Sequence, residues 1–219
     1  MTEPGSQGAT PLARPPGMID LSMNEVEMTA YKAARGAGLP WGIAEDVGRA
    51  ARWLARTGFD WSTALLSVLA TTGMSEPATS PFLLGTAVAD QINGGEDVGR
   101  VISRPNVLRP VWLVPLITVA TGGSMPVRIV IGAELVAINR EKVWATAPID
   151  RVAPIASAYV LIQAGLPELS ALPHHWDPQH TRSLISAENH TQLEALVYRT
   201  YVPTSEKSRL RGAGGRPGG

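Results

Sequence analysis

The chain has 219 residues, and its 19 Lys+Arg and 19 Asp+Glu cancel to a formal net charge of zero at pH 7. That balance gives no electrostatic reason to expect nucleic acid or an anionic membrane surface as a partner. There is no cysteine, which excludes disulfide frameworks, thiol nucleophiles and cysteine zinc sites.

The N-terminal stretch M-T-E-P-G-S-Q-G-A-T-P-L-A-R-P-P-G is rich in Pro, Gly and Ser and has no apolar run. It reads as a disordered arm over residues 1–18, not as a signal peptide or anchor. Residues 212–219 read as a disordered tail, which leaves one globular domain over 19–211: helical over 19–120, mixed over 121–211. No run reaches the roughly 18 apolar residues of a membrane helix, so a cytoplasmic protein is expected. Six of the twelve aromatic residues are Trp; they are expected as anchors of a small-residue core first and as site walls second.

Ser22-Met23-Asn24-Glu25 is a capping box, with Ser22 as N-cap and Glu25 at N3. It predicts a first helix from Met23 to about Arg35 with Val26, Ala30 and Ala33 inside. Gly36 and Gly38 are expected to supply the left-handed backbone that ends it. Leu39-Pro40 opens a second helix, with Ile43, Val47, Ala50 and Leu54 inward, Arg49, Arg52 and Arg56 on the other side, and Gly58 as its stop. Asp60 caps a third helix running to Gly73. Ser80-Pro81 caps a fourth, from Phe82 to Asn93.

Glu96 to Pro110 reads as an irregular connection. Val111 to Ala120 is apolar all round and reads as a buried helix, because Pro115 suits a central strand badly. Val127–Ile131, Leu135–Asn139 and Lys142–Ala147 form an expected antiparallel meander, with a further strand over Ala158–Gln163. Pro167 to Ser183 reads as a loop, Ala187 to Thr200 as a long helix, and Ser205 to Leu210 as a short tail helix. Helices first and antiparallel strands second argue an α+β fold. An N-terminal helical layer packs on a small antiparallel sheet, and the C-terminal helix returns to the first helices.

Five groups of residues carry candidate chemistry. Gly36-Ala37-Gly38 precedes a helix N-terminus, where free N–H groups attract carboxylate or phosphate, and Lys32 and Arg35 add charge. The same residues also suit a plain helix stop with cations at its C-terminus. Glu25 and Glu45 form a candidate acid–base pair, against a capping role for Glu25 and a first-turn role for Glu45. Trp41 is either a core plug or a substrate platform. In the segment His174 to His180, His175, Asp177 and His180 are weak metal-ligand candidates, because their spacing matches no sharp metal motif. In the tail, Tyr201, Glu206, Ser208 and Arg209 offer donors, an acid and a fixed cation. No G-x-S-x-G elbow or P-loop occurs, and no cofactor is expected.

The blocks L-S-M-N-E-V-E, K-A-A-R-G-A-G-L-P-W-G-I-A-E-D and R-T-Y-V-P-T-S-E-K-S-R-L-R-G-A-G resemble a bacterial family of uncharacterised proteins, a domain of unknown function. The resemblance implies one signature over Asn24, Glu25, Lys32, Arg35, Gly36, Gly38, Trp41, Gly42 and Glu45. It implies another over Tyr201, Pro203, Glu206, Ser208 and Arg209, and it implies no activity.

The leading expectation is a metal-independent isomerase, lyase or hydrolase for a small anionic metabolite, such as an amino acid or another carboxylate. Lys32, Arg35 and Arg209 would hold the carboxylate; Glu25, Glu45 or Tyr201 would move protons. Gly36, Gly38, Trp41, Glu206 and Ser208 would complete the substrate site. Two alternatives stand beside it: a non-catalytic subunit docking on a partner enzyme or on its own copy, motivated by Val111–Ala120 and the tryptophans, and a metalloenzyme built on the histidine segment.

Overall fold

The computed structural model describes residues 15–71, 76–95, 101–121, 125–140, 142–165 and 172–201. Two strands that the sequence does not announce frame the helical half. β1 (Met18–Ser22) pairs antiparallel with β8 (Arg182–Ser186), and Arg182 Nε donates to Asp20 Oδ2 at 2.7 Å across the ribbon. Each strand ends in a serine that caps the next helix. Ser22 caps α1 (Met23–Gly36) through the full capping box, and Ser186 Oγ accepts from the Asn189 N–H at the start of α7 (Ala187–Tyr198).

The helices predicted in the first half are present, with small shifts at their ends. α2 (Trp41–Arg56) starts after Pro40, which takes the N-cap position. α3 (Trp61–Leu69) is capped by Asp60 and stops well before Gly73. α4 (Pro81–Asn93) has Ser80 as cap and Pro81 in its first turn. The apolar run is a 3-10 turn (Pro110–Trp112) leading into α5 (Leu113–Thr121), with Val111, Trp112, Leu113, Val114, Leu116 and Ile117 buried. α5 packs between α2 and α4 on one side and the sheet on the other.

The sheet has six antiparallel strands in the order β2-β6-β3-β4-β5-β7. The predicted meander is its centre: β3 (Val127–Ile131), β4 (Glu134–Asn139) and β5 (Lys142–Ala145). A one-turn helix, α6 (Ile149–Val152), leads to β6 (Ser157–Ala164), which pairs with β3. The inward rows Val127, Ile129, Ile131, Val136, Ile138, Val143, Val160 and Ile162 are buried; in β3 they alternate with half-buried residues, as a sheet covered on one face requires, while in β4 the small Ala137 between Val136 and Ile138 is buried too.

Two segments expected to be irregular are strands. β2 (Ile102–Leu108) lies within the predicted connection Glu96–Pro110 and pairs with β6. Pro105 is tolerated because β2 is an edge strand and its register shifts between Arg104 and Val107, with Asn106 at φ 54°. β7 (His174–Trp176) lies in the predicted loop and extends the sheet beyond β5; β8 lies at the end of the same segment.

One hydrophobic cluster joins α1 to α5, α7 and the inner face of the sheet. Trp53, Trp61, Trp112 and Trp176 are buried, as expected for anchors. Trp61 Nε1 donates to Ser183 Oγ at 3.1 Å, tying α3 to β8. α7 returns to α1 and α3, which is the predicted return of the C-terminal helix. Among the described residues no helix is long and apolar enough to cross a membrane. The predicted tail helix over 205–210 and the predicted tail over 212–219 lie outside the described residues, as do residues 1–14 of the predicted arm. Met18, placed with that arm, opens β1.

Candidate functional site

At the α1–α2 corner, the expected anion site, most candidate residues are engaged in closing the turn. A Cβ placed on Gly36 would lie 1.8 Å from the Leu196 carbonyl oxygen of α7. Gly36 is therefore glycine because two helix backbones touch there. It is still helical, and the left-handed residue is Gly38, at φ 101°. The sequence reading gave both glycines one role; the structure gives them two. Arg35 donates from its guanidinium to the Leu39 carbonyl, across the turn. Its Cζ also lies 4.5 Å from the centre of the Trp41 ring, a cation–π contact. Trp41 is no core plug: it is 63% exposed, with Tyr31 beside it at 6.1 Å between ring centres.

Glu25 is held in the capping box, its Oε2 accepting the Ser22 N–H at 2.7 Å. Bonds from Ser22, with the nearby Arg182 charge, hold its carboxyl below the usual carboxylate value. A carboxyl stabilised as an anion and spent on a helix cap is a poor proton donor, so its capping role prevails. Glu45 is exposed on the first turns of α2, and Lys32 is half-buried on α1; among the described residues neither side chain has an ion-pair or hydrogen-bond partner.

In the tail, Tyr201 is 56% exposed and its ring meets Tyr198 edge-on at 5.8 Å. Glu206, Ser208 and Arg209 lie outside the described residues. The histidine segment does not gather metal ligands. His175 lies on β7, its ring 5.7 Å from Trp144 on β5. His180 packs its imidazole against Gly58 and donates its backbone N–H to the Arg56 carbonyl at 2.8 Å. Asp177 accepts from Gln179 Nε2. Among the described residues no three His, Asp or Glu side chains stand close enough to share a metal ion.

A cleft of about 660 Å³ opens elsewhere, where the C-terminal end of α2 and the end of α5 meet the β5–β7 edge of the sheet. Trp53 and Arg56 line it from α2, Thr118 and Val119 from α5, Lys142 from β5, His175 from β7, and Asp177 and Pro178 from the segment after β7. The His180-to-Arg56 bond pins that segment to the end of α2. The size falls within the range typical of small-molecule sites, ~300–1,000 Å³. A shallower depression of about 320 Å³ adjoins it, shares Trp53, Arg56 and Val119, and adds Glu27, Arg49 and Arg52.

The cations of this face divide into two kinds. Arg52 Nη1 donates to Glu27 Oε2 at 2.9 Å and to Asn24 Oδ1 at 3.3 Å, and Arg49 pairs with Asp46 at 2.5 Å. Arg56 and Lys142 have no ion-pair or side-chain hydrogen-bond partner among the described residues. Excess positive charge is therefore concentrated on the cleft and cancelled beside it. Sequence reasoning placed Arg49, Arg52 and Arg56 on one side of α2 but missed the cleft. The signal available was that stripe alone; Lys142 joins it only through the sheet order.

Over residues 21–93 the chain matches the model of a family described as a protein of unknown function, DUF3726. The match spans α1 to α4 and supplies no activity. No curated protein and no solved structure matches the chain.

Proposed function

We propose that this protein is an enzyme of cytoplasmic small-molecule metabolism that binds an anionic metabolite in the α2–α5–β5–β7 cleft. The observation that supports the reading is the pairing state of the cations: among the described residues Arg56 and Lys142 line one concave site without forming an ion pair, while Arg49 and Arg52 are paired with Asp46 and Glu27. An unpaired cation in a cleft with an apolar Trp53 wall is favoured by an anionic ligand more than a freely hydrated surface lysine is. Lys142, His175 and Asp177 are the groups lining the cleft that can exchange a proton, which fits an isomerase, lyase or hydrolase using acid–base steps.

The test is a thermal-shift screen against small carboxylates, amino acids and phosphates, repeated with Arg56→Ala and Arg35→Ala. A ligand at about 100 times its dissociation constant stabilises the native state by roughly 2.7 kcal/mol. The reading requires a stabilising anion whose effect is lost in Arg56→Ala and kept in Arg35→Ala. The opposite pattern would return the site to the α1–α2 corner.

A second reading, an accessory subunit, draws on one observation. Trp41 and Tyr198, 63% and 70% exposed, follow in sequence the two residues, Gly36 and Leu196, at which α1 and α7 touch. The features that first motivated it, the apolar run and most of the tryptophans, are used in the core. Light scattering across a concentration series, with Trp41→Ser as control, tests self-association through this end.

A further inference from the structure

We infer that the ligand of the cleft carries two anionic groups and one ammonium group, as an amino-dicarboxylate does. The inference rests on the cleft being the binding site and adds the ligand's charge pattern.

The cleft is lined by two basic side chains, Arg56 and Lys142, and one acidic side chain, Asp177. No described residue pairs ionically with any of the three; the one bond to the Asp177 carboxylate comes from the neutral Gln179 amide. The charges immediately outside cancel, Arg52 with Glu27 and Arg49 with Asp46. The uncompensated set is thus two positive and one negative, and its complement is two negative and one positive. A simple dicarboxylate or phosphate monoester would satisfy the cations but face Asp177 without a counter-charge. A like-charged neighbour at a given distance opposes binding as strongly as an opposite one favours it. An ammonium group on the ligand removes that conflict.

A long polyanion fits less well, because it needs a run of unpaired cations and the Arg49–Arg52 stretch is already neutralised. Trp53, Val119 and Pro178 supply an apolar wall for a short methylene chain.

The experiment is calorimetric titration of the full chain with L-glutamate, with glutarate (the same skeleton without the amine) and with 4-aminobutyrate (one carboxylate removed), at fixed ionic strength. L-aspartate tests chain length. At least one amino-dicarboxylate should bind about two- to fivefold more tightly than either truncated probe, the range that one exposed charge pair supplies. Asp177→Asn should erase the preference over glutarate and leave the preference over 4-aminobutyrate. Lys142→Gln should do the reverse. Both positions are exposed, so unchanged melting of the unliganded variants confirms an intact fold.

Glutarate binding as tightly as both amino-dicarboxylates overturns the ammonium assignment. So does an Asp177→Asn protein that still discriminates as the wild type does. If none of these probes binds while another anion stabilises the protein through Arg56, the charge pattern is wrong and the anion cleft stands. If no anion in the wider screen depends on Arg56, the cleft reading itself falls.

Discussion

Replacing Gly36 with alanine tests whether this glycine serves the contact between α1 and α7 or an anion. The added methyl would sit 1.8 Å from the Leu196 carbonyl oxygen, 2.7 Å from its carbon and 3.4 Å from its Cα. Carbon and oxygen atoms pack comfortably at roughly 3.3 Å, so α7 must move by about 1.5 Å locally or the end of α1 must unwind. Both obstructing atoms nearest the methyl are backbone, so no side-chain rotation relieves the clash. Overpacking of this kind costs about 1–3 kcal/mol, against a gain of at most ~1 kcal/mol from replacing a helical glycine with alanine. The net expectation is about 1–2 kcal/mol of destabilisation, which for a chain of this size lowers Tm by roughly 3–8 °C. Urea unfolding with an unchanged slope would assign the loss to the native state. Gly42→Ala, at a helical position with nothing within 4 Å of the new methyl, serves as control and should be neutral or slightly stabilising. If Gly36→Ala matches Gly42→Ala in stability, the helix–helix contact does not explain Gly36 and the reasoning fails. The anion-loop account would then regain its footing.

Two further outcomes follow from the same corner. Arg35→Ala removes both the Trp41 stack and the bond to the Leu39 carbonyl and should cost about 1–2 kcal/mol, with Arg35→Lys recovering little because an ammonium cannot provide the planar stack. Tryptophan emission should report it, since Trp41 is the exposed large tryptophan of the described residues and its contact is the one lost. Glu25 gives a pH-dependent outcome. Its carboxyl is held below its ordinary value of 4.5, so the cap contributes stability above that pH and loses it as pH falls through the lowered value. The stability gap between wild type and Glu25→Gln should be constant from neutral pH to about 5 and close under more acid conditions. A gap that widens on acidification would show that the bonds from Ser22 do not favour the anion.

The helix starts were legible because caps are local chemistry. Ser22 with Glu25, Asp60, and Ser80 with Pro81 each satisfy free N–H groups within three residues, so the pattern in sequence is the pattern in space. The strands that escaped notice are held by distant partners. β1 is a strand because β8 lies beside it, and β7 is three residues long and exists as a strand through β5. β2 carries Pro105, which is a breaker in a central strand and harmless at a bulged edge. The α+β class survived these omissions because β2 and β7 extend a sheet whose centre, the meander, was recognised, and β1 with β8 adds a separate two-stranded ribbon.

The candidate site divides along the same line. Arg35, Gly36, Gly38, Trp41 and Glu25 stood out because unusual residues cluster there, but Arg35, Gly38, Trp41 and Glu25 serve the turn or the cap around them and Gly36 serves the contact with α7. Which arginine of α2 is free to meet a ligand depends on Glu27, on a neighbouring helix, and on Asp46. The arrival of Lys142, His175 and Asp177 depends on the order of the strands. The matched span 21–93 thus contains one wall of the cleft, Trp53 and Arg56, while the opposing wall comes from beyond it. That span buries only part of its apolar surface within itself, through α1 on α2: α1 also packs on α7, α2 and α4 pack on α5, and one continuous core runs through all of them into the sheet. A fragment ending at Asn93 would leave the buried face of α4 without α5 and the 3-10 turn before it, where Trp112 meets Phe82 and Leu116 meets Gly85. The distinctive N-terminal residues thus have structural duties, and in the proposed cleft the second cation and the acid come from the segment after residue 140.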